Sequence, residues 1–262
     1  MKLHRIYAII LRYMFLFRHS FDRLTDSFYW PTIDLLVWGL TGAYLQKLQP
    51  TGAIPIVIII VSGIVFWYIV WRAQYELTVN LLEDLWDRNL INTFVAPLQF
   101  SEWIASLMSI GIIKAAISLF FTAGVGYLLY KVQIFSYGLY LIPFFALLMM
   151  TGWSVGLFVV GLILRFGTRI QTLAWAMVAV ISPFCAVYYP VTTLPHWAQT
   201  IASIIPASYV FEGMREVIKG HGIDPQKLLI SLGLNCLYLF LAFIFVRRSF
   251  DKLLDKGFIN IT

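Results

Sequence analysis

Two ionisable side chains, Asp34 and Lys114, stand inside long apolar runs. A charge at the centre of a bilayer costs at least ~2.5–3.5 kcal/mol on insertion scales, so each needs a partner or water. Counted from the inner ends of the expected spans, Asp34 lies six residues in, roughly 9 Å by helical rise, and Lys114 eleven residues in, roughly 16 Å. Those depths allow a salt bridge between them. They equally allow both groups to line a polar pathway, or Lys114 to snorkel alone to the interface.

The other concentration of charge is the stretch 72–102. It holds Glu76, Glu83, Asp84, Asp87 and Glu102, five of the thirteen acidic residues. Helix formers run through Leu90, and Pro97 is a stop. The stretch is too polar for lipid and too patterned for a linker. It predicts a charged helix between two spans that receives force from a separate soluble protein.

Other chemistry is poorly provided for. His4, His19, His196 and His221 all fall outside the expected spans, so a paired intramembrane imidazole for heme is not expected, nor a buried histidine for an intramembrane serine protease. No metal-ligand cluster stands out within the spans. Cys185 and Cys236 sit in apolar runs and make neither a disulfide framework nor a metal spacing. The GxxxxGK[ST] loop that cradles phosphates is absent from the sequence. The expectation is a chain with no catalytic, cofactor-binding or metal residues, hence not an enzyme.

These groups must be carried by membrane helices. The 262 residues are 60% hydrophobic and 12% charged, against about 45–50% and about 25% in soluble domains. The surplus reads as surface facing lipid, and 17% aromatics suit interfacial belts. The net charge of +6 is read as the bias of cytoplasmic loops toward Lys and Arg, not as a nucleic-acid surface.

At about 20 apolar residues per crossing, six spans are expected: 28–46, 53–71, 103–130, 137–164, 170–189 and 228–246. Residues 1–26 read as an amphipathic helix in the headgroup plane, with Lys2, Arg5, Arg12, His19, Arg23 and Asp26 on one face. One set of connections and termini carries 13 Lys and Arg and the other set 5, which places both termini and the stretch 72–102 in the cytoplasm. The last outer connection, 190–227, is different. Pro195 and Pro206 bracket an apolar piece too short to span, and a second short helix follows. Two half-helices, re-entrant or interfacial, are expected there, with Tyr189, Pro190, Trp197 and Arg215 beside them. Trp175, Phe184, Tyr188, Tyr189 and Trp197 form an interfacial belt or line a route for glycans or amphiphilic drugs.

Two local patterns carry a resemblance. One is Glu83-Asp84-Leu85-Trp86-Asp87-Arg88-Asn89-Leu90 followed by Phe94-Val95-Ala96-Pro97-Leu98. The other is Tyr189-Pro190-Val191, Leu194-Pro195-His196-Trp197, Ile205-Pro206 and Gly213-Met214-Arg215. In order and placement they resemble the membrane subunit of an ABC exporter, the permease class called type 2. The likeness runs over nearly the whole chain. Ile205 departs from the asparagine that often precedes the proline in that family.

The resemblance implies an all-α membrane protein of the plasma (bacterial inner) membrane. Two copies would dimerise around a pathway for a drug, a lipid or a lipid-linked glycan. Each would rest on a separate ATPase subunit, which holds ATP and Mg. Leu82, Leu85, Trp86 and Leu90 would then anchor a coupling helix on that ATPase, while Glu83, Asp84, Asp87 and Arg88 set its register. The short turn 165–169 would add a second contact. The competing reading is a secondary transporter or channel with no ATPase, for which inverted repeats and helices broken at the midplane are the usual marks.

Overall fold

The computed structural model describes residues 2–48, 55–220 and 222–256. The turn expected near 49–54, the start of the second span at Ala53, His221 and residues 257–262 therefore lie outside the described residues. Within them the chain is all-α: α1 (Leu3–His19), α2 (Phe21–Lys47), α3 (Ile56–Trp86), α4 (Leu90–Val95), α5 (Phe100–Tyr130), α6 (Leu141–Phe166), α7 (Leu173–Ile181), α8 (His196–Ser203), α9 (Pro206–Ile218) and α10 (Pro225–Lys256). Among the described residues four stretches are long and apolar enough to cross a membrane: Ile56–Trp86, Phe100–Tyr130, Ile134–Ile170 and Pro225–Asp255.

Two of the six expected spans differ from these. The first lies within α2, which is long enough but too polar to count among the four. The fifth is a nine-residue α7 followed by a 3₁₀ turn at Ser182–Cys185. Pro183 removes a backbone donor there, and Ala186 takes a left-handed φ of 57° that ends the run.

The post of the fold is α3. Of its most apolar stretch 72% is buried inside the protein, against 22% for α10, which leaves the latter at the periphery. α6 lies against α3 at very short range. A Cβ added at Gly152 would stand 2.5 Å from the Val70 carbonyl and from the Ala73 methyl, and one at Gly156 would meet Leu77 at 2.8 Å. Small residues four apart let two backbones approach in this way. The tract Gly152-Trp153-Ser154-Val155-Gly156 also has the Gly-x-Ser-x-Gly spacing of a hydrolase nucleophile elbow, which needs a sharp strand-to-helix turn. Here it is mid-helix, and the Ser154 hydroxyl donates back to the Met150 carbonyl at 2.9 Å. Its glycines serve packing.

The single helix expected over 1–26 is two helices. The helix breaks at Ser20, whose extended backbone closes α1 and whose Oγ accepts from Arg23 N to start α2. Two arginines of the basic face are engaged by protein: Arg5 pairs with Glu102 and Arg12 bonds Asp84 at 2.8 Å, while the Lys2 backbone N–H donates to Glu102 at 2.6 Å. α1 is thus fastened along the start of α5 and the end of α3. Leu3, Tyr7, Leu11 and Phe15, each four residues apart, form an exposed apolar stripe on it.

Candidate functional site

The stretch after the second span is not a separate helix. α3 runs unbroken from Ile56 to Trp86, so residues 72–86 continue the membrane helix itself. Leu82, Leu85, Leu90 and Asp84 are buried within the chain. As anchors for an outside protein they are unavailable, and that part of the expectation is corrected. The reason is that the apolar positions needed for docking belong to the same buried hydrophobic cluster as Trp103, Leu157 and Ile163. Asp84 holds α1 instead, accepting from Tyr13 Oη at 2.6 Å and from Arg12. Burial and the adjoining Asp84 carboxylate push the Tyr13 phenol well above its ordinary range. Glu83 pairs with Arg23 of α2.

What remains open at this elbow is Trp86-Asp87-Arg88. All three are exposed, and Arg88 takes a left-handed φ of 52° that turns the chain into α4. Trp86 is 48% exposed. Its indole stacks on Trp175 with centroids 6.4 Å apart and donates to Gln171 Oε1 at 3.2 Å. The connection after α3 and the connection after α6 therefore meet in one surface. Beside it a cleft of about 400 Å³ opens between α1 and α4, lined by Arg5, Arg12, Asn89, Asn92 and Pro97 among others.

Above the elbow lies a buried ion network. Lys114 Nζ is 2.6 Å from Glu76 Oε2. Arg72 pairs with Asp26 at 3.1 Å, donates to the Asp26 carbonyl at 2.8 Å, and faces Glu76 at 3.9 Å. Asn80 Nδ2 donates to Glu76 at 3.1 Å, and Lys114 stands 4.6 Å over the Phe17 ring. Arg23, Arg72 and Lys114 are balanced by Asp26, Glu76 and Glu83 around a cavity of about 20 Å³, and roughly 10–15 Å³ is enough for one water. Glu76 is twenty residues past Ile56, about 30 Å by helical rise, which is the thickness of a hydrocarbon core. The network thus sits about one hydrocarbon thickness along α3 from its start.

Lys114 and Asp34 do not bridge to each other. Asp34 accepts from Tyr68 Oη at 2.6 Å while Lys114 takes Glu76. The sequence alone places Glu76 and Arg72 in the cytoplasmic stretch and Asp26 on the interfacial helix. The signal for them is the 72–76–80 spacing, one polar stripe on a helix that continues the apolar run.

At the opposite end α8 and α9 form a hairpin whose turn, Ile204-Ile205-Pro206, leans on α10. Ser231 Oγ donates to the Pro206 carbonyl at 2.9 Å and Tyr238 Oη to the Ile204 carbonyl at 2.8 Å. Ser231 lies six residues into α10, about 9 Å, so the turn sits inside the apolar length of that helix. Pro195 opens α8 and Pro206 occupies its expected place at the first turn of α9. Arg215 is buried and bonds Glu212 at 3.0 Å, and the same carboxylate accepts from Val191 N, just after Pro190. Tyr189 Oη donates to the Pro183 carbonyl, while exposed Trp197 meets Phe184 edge-on at 6.0 Å. Comparison of the sequence with protein-family models and with curated proteins gives no match.

Proposed function

We propose that the chain is the membrane subunit of an ATP-driven exporter of the type 2 permease class. In this reading it crosses the membrane six times through α2, α3, α5, α6, the α7 segment and α10. Both termini are cytoplasmic, and it works as a dimer with separate ATPase subunits that hold ATP and Mg. The cargo is a drug, a lipid or a lipid-linked glycan. The observation that carries the proposal is the joint surface of Trp86, Asp87, Arg88, Gln171 and Trp175, where two inner connections are stacked.

The mechanism follows from the continuity of α3. A load applied at Trp86-Asp87-Arg88 enters a helix with no break up to Ile56. That helix is packed too closely against α6 to slide past it, because Gly152 and Gly156 leave no slack. The inner surface and the membrane interior then move as one lever. The partner grips a small exposed face, not a full amphipathic helix.

The test is purification of the tagged chain from its native membrane in mild detergent. The expected companion is a subunit that hydrolyses ATP in a vanadate-sensitive manner. Trp86→Ala with Asp87→Lys leaves membrane insertion intact and lowers the recovered ATPase by roughly tenfold or more, as loss of a central interface residue does. Recovery unchanged in that double variant overturns the assignment. The secondary-transporter reading is favoured by the buried Glu76–Lys114 pair, since intramembrane charges mark ion pathways. Nucleotide-free, ion-driven flux through the purified chain in vesicles, abolished by Glu76→Gln, would replace the proposal with that reading.

A further inference from the structure

The peripheral face between α6, α7 and α10 holds a cavity of about 440 Å³ that the transport reading does not use. Its walls include Ser154 and Phe158 of α6, Met177 of α7, and Tyr238, Leu241 and Phe245 of α10, so almost all of it is apolar. Phe158 and Phe245, both in its wall, pack together with ring centroids 5.4 Å apart. At the inner end of the groove the chemistry changes. The Arg165 guanidinium sits 4.5 Å over the Phe245 ring, and its Nε donates to Ser249 Oγ at 2.8 Å.

Arg165 follows Phe158 by seven residues, and Arg248 and Lys252 follow Phe245 by three and seven, so all continue the faces that line the groove. Arg165, Arg248 and Lys252 are exposed, and none has a carboxylate in salt-bridge range among the described residues. From Tyr238 to Arg248 is ten residues, about 15 Å, which is half of a hydrocarbon core.

We propose that this cleft is a binding site for one anionic phospholipid of the cytoplasmic leaflet. One acyl chain occupies the apolar groove and the phosphate is held by Arg165 and Arg248, with Lys252 behind them. Charge complementarity selects this occupant. A neutral lipid or a second copy of this apolar face would leave the arginine pair at the mouth unanswered, whereas basic pockets between membrane helices on the cytoplasmic side suit anionic headgroups.

The test uses the purified full chain in detergent, offered equal amounts of palmitoyl-oleoyl phosphatidylglycerol and phosphatidylcholine, with bound lipid counted by native mass spectrometry. Phosphatidylglycerol is expected to be retained roughly 10- to 30-fold over phosphatidylcholine, the effect of two cations near a headgroup. Arg165→Gln with Arg248→Gln brings that ratio close to one and leaves phosphatidylcholine retention unchanged. Leu241→Trp, at a half-exposed wall of the groove, lowers retention of both lipids with the charges intact. Equal retention by the unaltered chain overturns the site, as does a preference that survives loss of both arginines. Displacement of the lipid by millimolar inorganic phosphate would assign the arginines to a free anion instead. A lipid-free dimer that Leu241→Trp converts to monomer would assign the groove to a second copy.

Discussion

At the scale of single residues, the Glu76–Lys114 contact decides what the buried network is worth. Lys114 is 5% exposed at the side chain and Glu76 2%, so neither can retreat to water. Removing one partner of such a pair strands the other and costs about 3–5 kcal/mol, whereas removing both together is often neutral. Lys114→Met is therefore expected to lower the thermal unfolding temperature in detergent sharply. Glu76→Gln with Lys114→Met should recover most of the loss. A double variant no better than the single one would mean that Arg72, 3.9 Å from Glu76, carries the balance and that Lys114 is secondary. Tyr13→Phe tests the neighbouring contact. It leaves Asp84 with Arg12 alone and is expected to cost about 1.5–3 kcal/mol, the value of a hydrogen bond to a charged group. The intramembrane lysine was visible in the sequence because a lone cation in an apolar run stands out. Its partner was not, because Glu76 sits just past Arg72, where a charge pair reads as the edge of the membrane.

At the scale of elements, the question is what makes α3 and α6 one body. The close approach at Gly152 leaves no room for a methyl group, and the atoms in the way, the Val70 carbonyl oxygen and the Ala73 Cβ, cannot rotate aside. Gly152→Ala is expected to separate the helices at a cost of about 1–3 kcal/mol, the usual range for overpacking. Gly124→Ala in α5 is the control: nothing lies within 4 Å of its added Cβ. That substitution should be neutral or stabilising by about 0.5–1 kcal/mol, because it lowers the entropy lost in a helix. Measured as midpoints of thermal unfolding, the two changes should move in opposite directions. The four helices long and apolar enough to cross a membrane were legible from hydropathy alone, and so was the short helix pair, from Pro195 and Pro206. Helix continuity through residues 72–86 was not. Composition changes at Arg72 while helix propensity does not, and the polar side chains there are satisfied by α1, α2 and α5, which no local pattern reveals.

At the scale of the molecule, the number of crossings rests on α2 and the α7 segment, since neither reaches the length and hydropathy of the other four. Single cysteines separate the cases. In a background with Cys236→Ser removing the exposed thiol, and Cys185 left because it is buried, exposed positions Asp87, Ser136 and Thr193 can each be replaced by cysteine. They are then challenged with a membrane-impermeant maleimide on intact cells. Six crossings with cytoplasmic termini require Ser136→Cys and Thr193→Cys to react directly and Asp87→Cys to react only after permeabilisation. If Thr193→Cys instead behaves like Asp87→Cys, the α7 segment turns back without crossing and the α8–α9 hairpin lies on the inner side. The positive charges flanking α10 would then be on the wrong face for their bias. If Asp87→Cys reacts on intact cells, the elbow faces the exterior and no cytoplasmic ATPase can reach it. The exporter proposal then falls whatever the other two positions show. The energetic stake is uneven. If the α7 segment fails to cross, α10 is reversed with it and Arg247, Arg248, Lys252 and Lys256 are carried across the bilayer, whereas the flank of the α7 segment itself contributes only Arg169. Charge bias therefore acts on the α7 segment mainly through α10, and Thr193→Cys is the position whose labelling carries the most information.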